Sequence, residues 1–338
     1  MTLKYRILPG DRCRQLKAIL TPPSRGIRIL EAHNGLSAIV ASTAACVHTN
    51  GHKLEFDGLW ISSLTASASQ GIPDSELSSI EKRLDTIQEI VNVTNKPLIV
   101  DGDTGGEAAN FEYFCSRLES LGVSAIIIED KKYPKRNSLA KTATHYLEDP
   151  DVFAQKIRRA REMLLSDSFM IFARLESLIA NRGIEDALAR ARTYLLAGAD
   201  GIMIHSKQNN TDEIYAFLEG YEVLSANLGF RKPIICVPTT YNQVTAEDLF
   251  KRGVNITIHA NHLLRAAHHA MKQVSQMILQ SGRSLEAESL CTPVPQLFEV
   301  VGFNDVVDRD ARTYFSDNDL RVEEMDVLPS SPSFQQIA

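Results

Sequence analysis

The 338-residue sequence predicts an α/β fold whose parallel strands close into a (β/α)8 barrel of the TIM type. Short runs rich in Ile and Val recur along the chain, and helix-like segments separate them. The runs number eight, the count of such a barrel, and a single barrel of this length is ordinary. A doubly wound open sheet is the runner-up. No GxGxxG follows the first strand, which weighs against its dinucleotide-binding form.

In order, the runs are SAIVAS (37–42), FDGLWIS (56–62), PLIVDGD (97–103), AIIIED (125–130), FMIFARL (169–175), GIMIHS (201–206), PIICVP (233–238) and ITIHAN (256–261). Several are continuous rather than alternating, as strands buried on both faces should be. Between them, SELSSIEKRLDTIQEIVNVT opens on a serine cap and a Glu and sets Ile80, Leu84, Ile87 and Ile90 on one helical face. ANFEYFCSRLESLG and EDALARARTYLLAGA each end near a glycine, the usual helix stop. Residues 1–315 read as one barrel domain with an N-terminal extension. Residues 316–338, acidic and then Ser/Pro-rich, read as a flexible tail.

Apolar residues make up 44% and charged residues 23%, the composition of a soluble globular protein. The net charge, 36 − 42 = −6, offers no basic excess for nucleic acid or an anionic membrane. An anionic small-molecule substrate must then be drawn in by local cations. The N-terminus has no apolar signal core, and no run approaches 18 apolar residues. Cys13, Cys46, Cys115, Cys236 and Cys291 are scattered, without a CxxC pair. That suits reduced thiols in a cytoplasm rather than a disulfide framework or a zinc site.

In a barrel, chemistry sits where strands end. Those ends carry Trp60, Ser62 and Ser63; Asp101 and Asp103; Glu129 and Asp130; Arg174 and Glu176; His205 and Ser206; Thr239 and Thr240; Asn261 and His262. Strand starts carry ordinary turn residues instead, whereas solvated loops alone would scatter polar groups over both ends. The carboxylates of DGDTGG and ED lie on successive strands and can converge on Mg²⁺ or Mn²⁺, since no Cys/His spacing points to zinc. The alternative is that Asp101 and Asp103 cap the following helix. Arg174 ends an apolar strand and needs an anionic partner, either Glu176 or a substrate. His205 reads first as a hydrogen-bonded wall rather than a base.

Residues 129–138, EDKKYPKRNS, put two acids at a strand end and the cations after them. This stretch resembles EDKxxxxxNS, the signature of phosphoenolpyruvate mutases in the isocitrate lyase/phosphoenolpyruvate mutase superfamily. WISSLTASASQGIPD, DGDTGG, ARLES, GADGIMIHSK, VPTTY and ANHLLRAA resemble further family segments, in order, over about residues 25–295. The resemblance implies the barrel already read from the strands, with its eighth helix exchanged between partners in a homodimer or homotetramer. It implies Asp101 as direct Mg²⁺ ligand, with Asp74, Asp103 and Glu129 holding the metal's waters. Trp60, Ser62, Ser63 and Leu64 resemble the segment around the substrate carboxylate and carbonyl, and Arg174 and His205 resemble substrate-binding side chains. Lys135, Asn137 and Ser138 fall on a mobile gating loop that closes over the phosphoryl group.

The implied activity interconverts phosphoenolpyruvate and phosphonopyruvate, the entry step into phosphonate biosynthesis; the alternative is a phosphonopyruvate hydrolase releasing pyruvate and phosphate. Asn137 favours the mutase, because the hydrolases typically vary that loop position. Lys135-Arg136-Asn137-Ser138 replaces the cysteine-bearing loop of the superfamily's C–C lyases. A second departure is Gly106-Glu107-Ala108, where many mutases carry an aromatic and another glycine. A non-catalytic or redirected barrel acting on another 2-oxo acid is the third hypothesis.

Overall fold

The computed structural model describes residues 5–21, 25–47, 51–140 and 142–314, so the tail expected at 316–338 lies outside the described residues. The strands are β1 (Ile27–Glu31), β2 (Ala45–Val47), β3 (Lys53–Glu55), β4 (Gly58–Ile61), β5 (Leu98–Asp101), β6 (Ala125–Glu129), β7 (Met170–Leu175), β8 (Gly201–Ile204), β9 (Ile234–Cys236) and β10 (Ile256–His259). Eight of them form a closed parallel barrel in the order β1-β10-β9-β8-β7-β6-β5-β4, and β2 and β3 form a small antiparallel hairpin beside it.

One of the eight expected strands is wrong. SAIVAS lies in a helix, Gly35–Thr43, and the first barrel strand is instead IRILE, which the sequence reading passed over. The physical reason is a capping box: Asn34 Oδ1 accepts from the Ser37 amide, and Ser37 Oγ accepts from the Asn34 amide. IRILE carries an Arg and a Glu and so lacks the continuous apolar look of the other strands. A second difference concerns SELSSIEK. Its helix starts at Ile80 with Ser79 as the cap, and Glu76 sits in the preceding loop at φ 57°.

Alternation fills the barrel. Ile29, Ile99, Ile127, Phe172, Met203, Ile235 and Ile258 point inward and form one buried cluster. Leu16 and Leu20 of helix Pro9–Leu20 belong to that cluster and close the end where strands begin. Arg12 of this helix donates to the carbonyls of Val91 and Thr94, and Ser124 donates to the carbonyl of Arg12. The outward faces pack under the surrounding helices in a larger cluster that includes Leu98, Ile126, Ile171 and Ile202. Each such side chain contributes roughly 1.5–3 kcal/mol by leaving water.

Helices follow the strands around the ring until β10. The eighth helix, His262–Ser281, has none of its 20 residues buried. Glu31 at the end of β1 fixes its start: Oε2 accepts from the amides of Leu263 and Leu264, while Oε1 lies 2.6 Å from His33 Nδ1. Among the described residues, no helix is long and apolar enough to cross a membrane.

Candidate active site at the barrel mouth

Period-two alternation carries the inner stripe of each strand straight out of the apolar core into polar groups. Ile99 leads to Asp101 and Asp103, Ile127 to Glu129 and Lys131, Phe172 to Arg174 and Glu176, Met203 to His205. Register aligns them further, since Glu129 and Arg174 are paired residues on β6 and β7. The DGDTGG loop needs its glycines at two points. A Cβ at Gly102 would meet Ile128 at 2.7 Å, and Gly105 turns at φ 76°. Asp101 and Asp103 do not cap the next helix, which starts at Ala108 after Glu107.

A cavity of about 60 Å³ opens at this mouth. That is room for a few waters or a small acid, because one water needs roughly 10–15 Å³. Trp60, Ser62, Ser63, Leu64, Asp74, Asp101, Lys135, Asn137, Ser138, Arg174 and His205 line it, together with Leu139, Met203, Val237, Thr239, Ala260 and Asn261. Asp103 and Glu129 stand behind this lining, against the cations that reach into it. Ser62 is also the cap of helix Ser63–Ser69, with Oγ accepting from the Thr65 amide.

The loop after β6 folds over the mouth. Its base is held by the Lys131–Leu147 bridge and by the Lys132 amide donating to the Tyr146 carbonyl. Its tip docks at two anchors. Lys135 Nζ donates to Ser63 Oγ at 2.9 Å and pairs with Asp103 Oδ1 at 2.7 Å and Asp74 Oδ1 at 3.2 Å, while Asn137 Nδ2 donates to Asp74 Oδ2 at 2.7 Å. At the second anchor, Ser138 Oγ donates to Glu176 Oε2 at 2.7 Å and accepts from Arg174 Nη2 at 2.9 Å and Lys131 Nζ at 2.5 Å.

Both readings of Arg174 hold part of the geometry. It pairs with Glu129 at 2.9 Å and Glu176 at 2.5 Å, and it also lines the cavity. His205 is a hydrogen-bonded wall, with Nδ1 2.8 Å from Glu176 Oε1 and 3.2 Å from Arg174 Nη2. Burial lowers its pKa, against the pull of Glu176. Burial would also push Glu176 up, but Arg174, Lys131 and His205 hold it well below the usual carboxylate range. Lys135 behaves in the opposite sense: burial would lower it, and Asp103, Glu129, Asp101 and Asp74 keep it well above its ordinary value. Asp103 stays low because Lys135 and Arg83 outweigh its burial.

Protein cations share in neutralising the carboxylates. The acids do not depend on a metal alone for neutralisation, because Lys131, Lys135, Arg83 and Arg174 already pair with them. Among the described residues, no three metal-ligating side chains stand close enough to chelate an ion together. The donor set nevertheless fits a hard cation with one direct carboxylate and several waters. Both Glu129 oxygens, Asp74 Oδ1 and Asp103 Oδ1 are buried without an aligned hydrogen bond, although Arg174, Lys131 and Lys135 approach them as ion pairs. Acceptor capacity is therefore left over around Asp101.

Lys131 and Arg83 were not among the residues that the sequence singled out. Lys131 was legible as the residue two beyond Glu129 on the inward stripe. Arg83 lies on a helix, pairs with Asp103 at 2.8 Å and donates to the Asp101 carbonyl, and nothing in its local sequence marks it. Asp130 faces away from the cavity. It takes the Glu176 amide, Tyr194 Oη and Arg190, and burial still raises it to about 6.

The family described as phosphoenolpyruvate phosphomutase matches residues 16–279. The chain belongs to that family. It is 35% identical over 285 residues to the phosphoenolpyruvate phosphomutase of Tetrahymena pyriformis, covering 84% of this chain and 89% of that one. It is equally similar, 35% over 275 residues, to the phosphonopyruvate hydrolase of Variovorax sp. (strain Pal2), covering 81% and 89%. In structure it resembles a phosphonopyruvate hydrolase seen in complex with oxalate and Mg²⁺, at TM-score 0.78 and 32% identity, covering 92% of this chain and 100% of that one. Relatives with two different named activities thus stand at equal identity to this chain.

Proposed function

We propose that this chain interconverts phosphoenolpyruvate and phosphonopyruvate by moving the phosphoryl group within one molecule. The observation that carries the reading is the docked loop tip: Lys135 and Asn137 meet Asp74 over a mouth whose lining, among the described residues, contains no cysteine. A C–C lyase of this superfamily would want a thiol there. In the forward direction the P–O bond breaks with its electrons left on the enol oxygen, giving pyruvate enolate. C3 of that enolate then supplies the pair for the P–C bond, so neither a proton nor water is consumed.

Mg²⁺, or Mn²⁺ in its place, would be held by Asp101 directly and through water by Asp103, Glu129 and Asp74, and when bound it supplies charge neutralisation and orientation for the oxygens of a 2-oxo acid. The protein's own groups do the rest. Trp60, Ser62, Ser63 and Leu64 shape the wall for the planar acid, Arg174 presents donors to its charged oxygens, and His205, tied to Glu176, completes the wall beside Arg174. Lys135, Asn137 and Ser138 surround the loose, metaphosphate-like group and keep water out.

Incubation with Mg²⁺ and phosphonopyruvate, followed by ³¹P NMR, tests the reading. The P–C bond is the less stable one, so phosphoenolpyruvate is expected as the primary product. Inorganic phosphate and pyruvate as primary products would move the assignment to the hydrolase, which the equal 35% identity keeps as the second reading.

We also propose that helix His262–Ser281 and the segments after it are exchanged with a second copy. Met271, Ile278, Leu279, Leu297, Phe298, Val301 and Phe303 are exposed along this helix and the segments after it, apolar side chains that a second copy would cover. Light scattering after size-exclusion chromatography is expected to give a dimer or tetramer, and Leu279→Asp to shift it toward monomer. A monodisperse monomer for the unaltered chain would refute the exchange.

A further inference from the structure

Glu76 belongs to none of the roles above, yet it joins three loops. Its backbone holds φ 57°, a left-handed conformation that a glutamate adopts at some cost. From there one carboxylate oxygen, Oε1, accepts from the Thr104 amide at 3.0 Å and from Thr104 Oγ1 at 2.6 Å. The other, Oε2, accepts from the Lys135 amide at 2.7 Å. Thr104 is fully buried in the DGDTGG loop, where its hydroxyl also accepts from the Gly106 amide and its carbonyl accepts from Lys156 Nζ at 2.8 Å. A single carboxylate therefore spans from the loop that carries Asp101 and Asp103 to the backbone of the loop that carries Lys135 and Asn137.

We infer that Glu76 is a positioning residue that couples order in the DGDTGG loop to closure of the gate. The inference rests on the reading of residues 131–138 as a gate. Lys135 reaches the acids through its ammonium, but a long, flexible side chain fixes its own backbone poorly. The bond from Glu76 to the Lys135 amide supplies that backbone restraint. It forms in this geometry only while Thr104 holds the other oxygen. Closure then favours an ordered DGDTGG loop, and an ordered loop favours closure, as linkage requires. Asn137 and Ser138, two and three residues further on, inherit their positions from this point.

Glu76→Gln tests the coupling with almost no change of shape. An amide has one acceptor oxygen and one NH2 group, so it cannot satisfy both sides. With its oxygen toward Thr104 its NH2 opposes the Lys135 amide, and flipped it opposes Thr104. Hydrogen–deuterium exchange of the full chain, with and without Mg²⁺ and oxalate, reads the outcome without any turnover. Exchange over residues 132–140 is expected to rise roughly 10- to 100-fold in Glu76→Gln, the range of one hydrogen bond to a charged acceptor. Exchange in strand segments 125–129 and 170–175 should stay unchanged. Thr104→Val removes a donor from Glu76 without touching a gate atom, and it should speed gate exchange in the same segment. Combining the two should add less than their sum. Unchanged gate exchange in Glu76→Gln, a uniform rise through the barrel strands, or a Thr104→Val effect confined to its own loop would each overturn the coupling. If exchange behaves as expected while phosphonopyruvate yields inorganic phosphate, the coupling stands and the mutase assignment falls.

Discussion

Asp101→Ala is expected to abolish both turnover of phosphonopyruvate and the Mg²⁺-dependent binding of oxalate. Asp101 ends β5 on the inward stripe, and three donors aim its carboxylate. Ser63 gives its amide at 3.3 Å and its hydroxyl at 3.0 Å to Oδ2, and the Asp103 amide gives 3.1 Å to Oδ1. Among the described residues no other acid lines the cavity from a strand end, and Asp74, the second acid in the lining, is engaged by Lys135 and Asn137. Asp103 and Glu129 stand behind, and Asp103→Asn or Glu129→Gln should cost about 10- to 100-fold, as for groups that hold a metal's waters. Titration calorimetry with oxalate separates the two classes, and circular dichroism confirms that the variants fold. Full activity in EDTA, or an active Asp101→Ala, would sink the metal assignment.

Asn137→Ala should cut mutase turnover by roughly 10²–10³-fold, the loss that follows removal of one donor to a developing anion. In the docked loop, Asn137 Nδ2 donates to Asp74 at 2.7 Å and Oδ1 accepts from the Leu139 amide at 3.0 Å. The first bond holds one amide hydrogen, and the second fixes which way the amide faces. On the proposed reading, the remaining N–H would serve the transferring group. A metaphosphate-like group survives only while donors surround it and water is absent, so residual turnover should shift toward phosphate release. Oxalate lacks the phosphoryl group, so its affinity should change far less. If oxalate affinity falls as steeply as turnover, Asn137 shapes the pocket and this account of the loop fails.

Much of the fold and the candidate site was present in local sequence because barrel strands are short, apolar and followed by the polar residues that gather at the mouth. PLIVDGD, AIIIED and FMIFARL could each be read alone, since period-two alternation carries the core stripe into Asp101, Glu129 and Arg174. Strand IRILE and helix GLSAIVAST were not legible that way. Their apolar content is ambiguous, and the decision lies with the Asn34–Ser37 capping box and with closure of β1 against both β10 and β4. Glu31 and His33 went unread with them.

Three-dimensional contact alone decided how the acids are balanced. Lys135 meets Asp74 and Asp103 across 61 and 32 residues of chain, Arg83 reaches Asp103 from a helix, and Glu76 meets Thr104 and Lys135 from a strained turn. The sequence by itself determined which groups stand at the mouth, because strand periodicity is a local property. Which cation faces which acid was left to the tertiary structure, because that pairing depends on loops brought together only when the barrel closes.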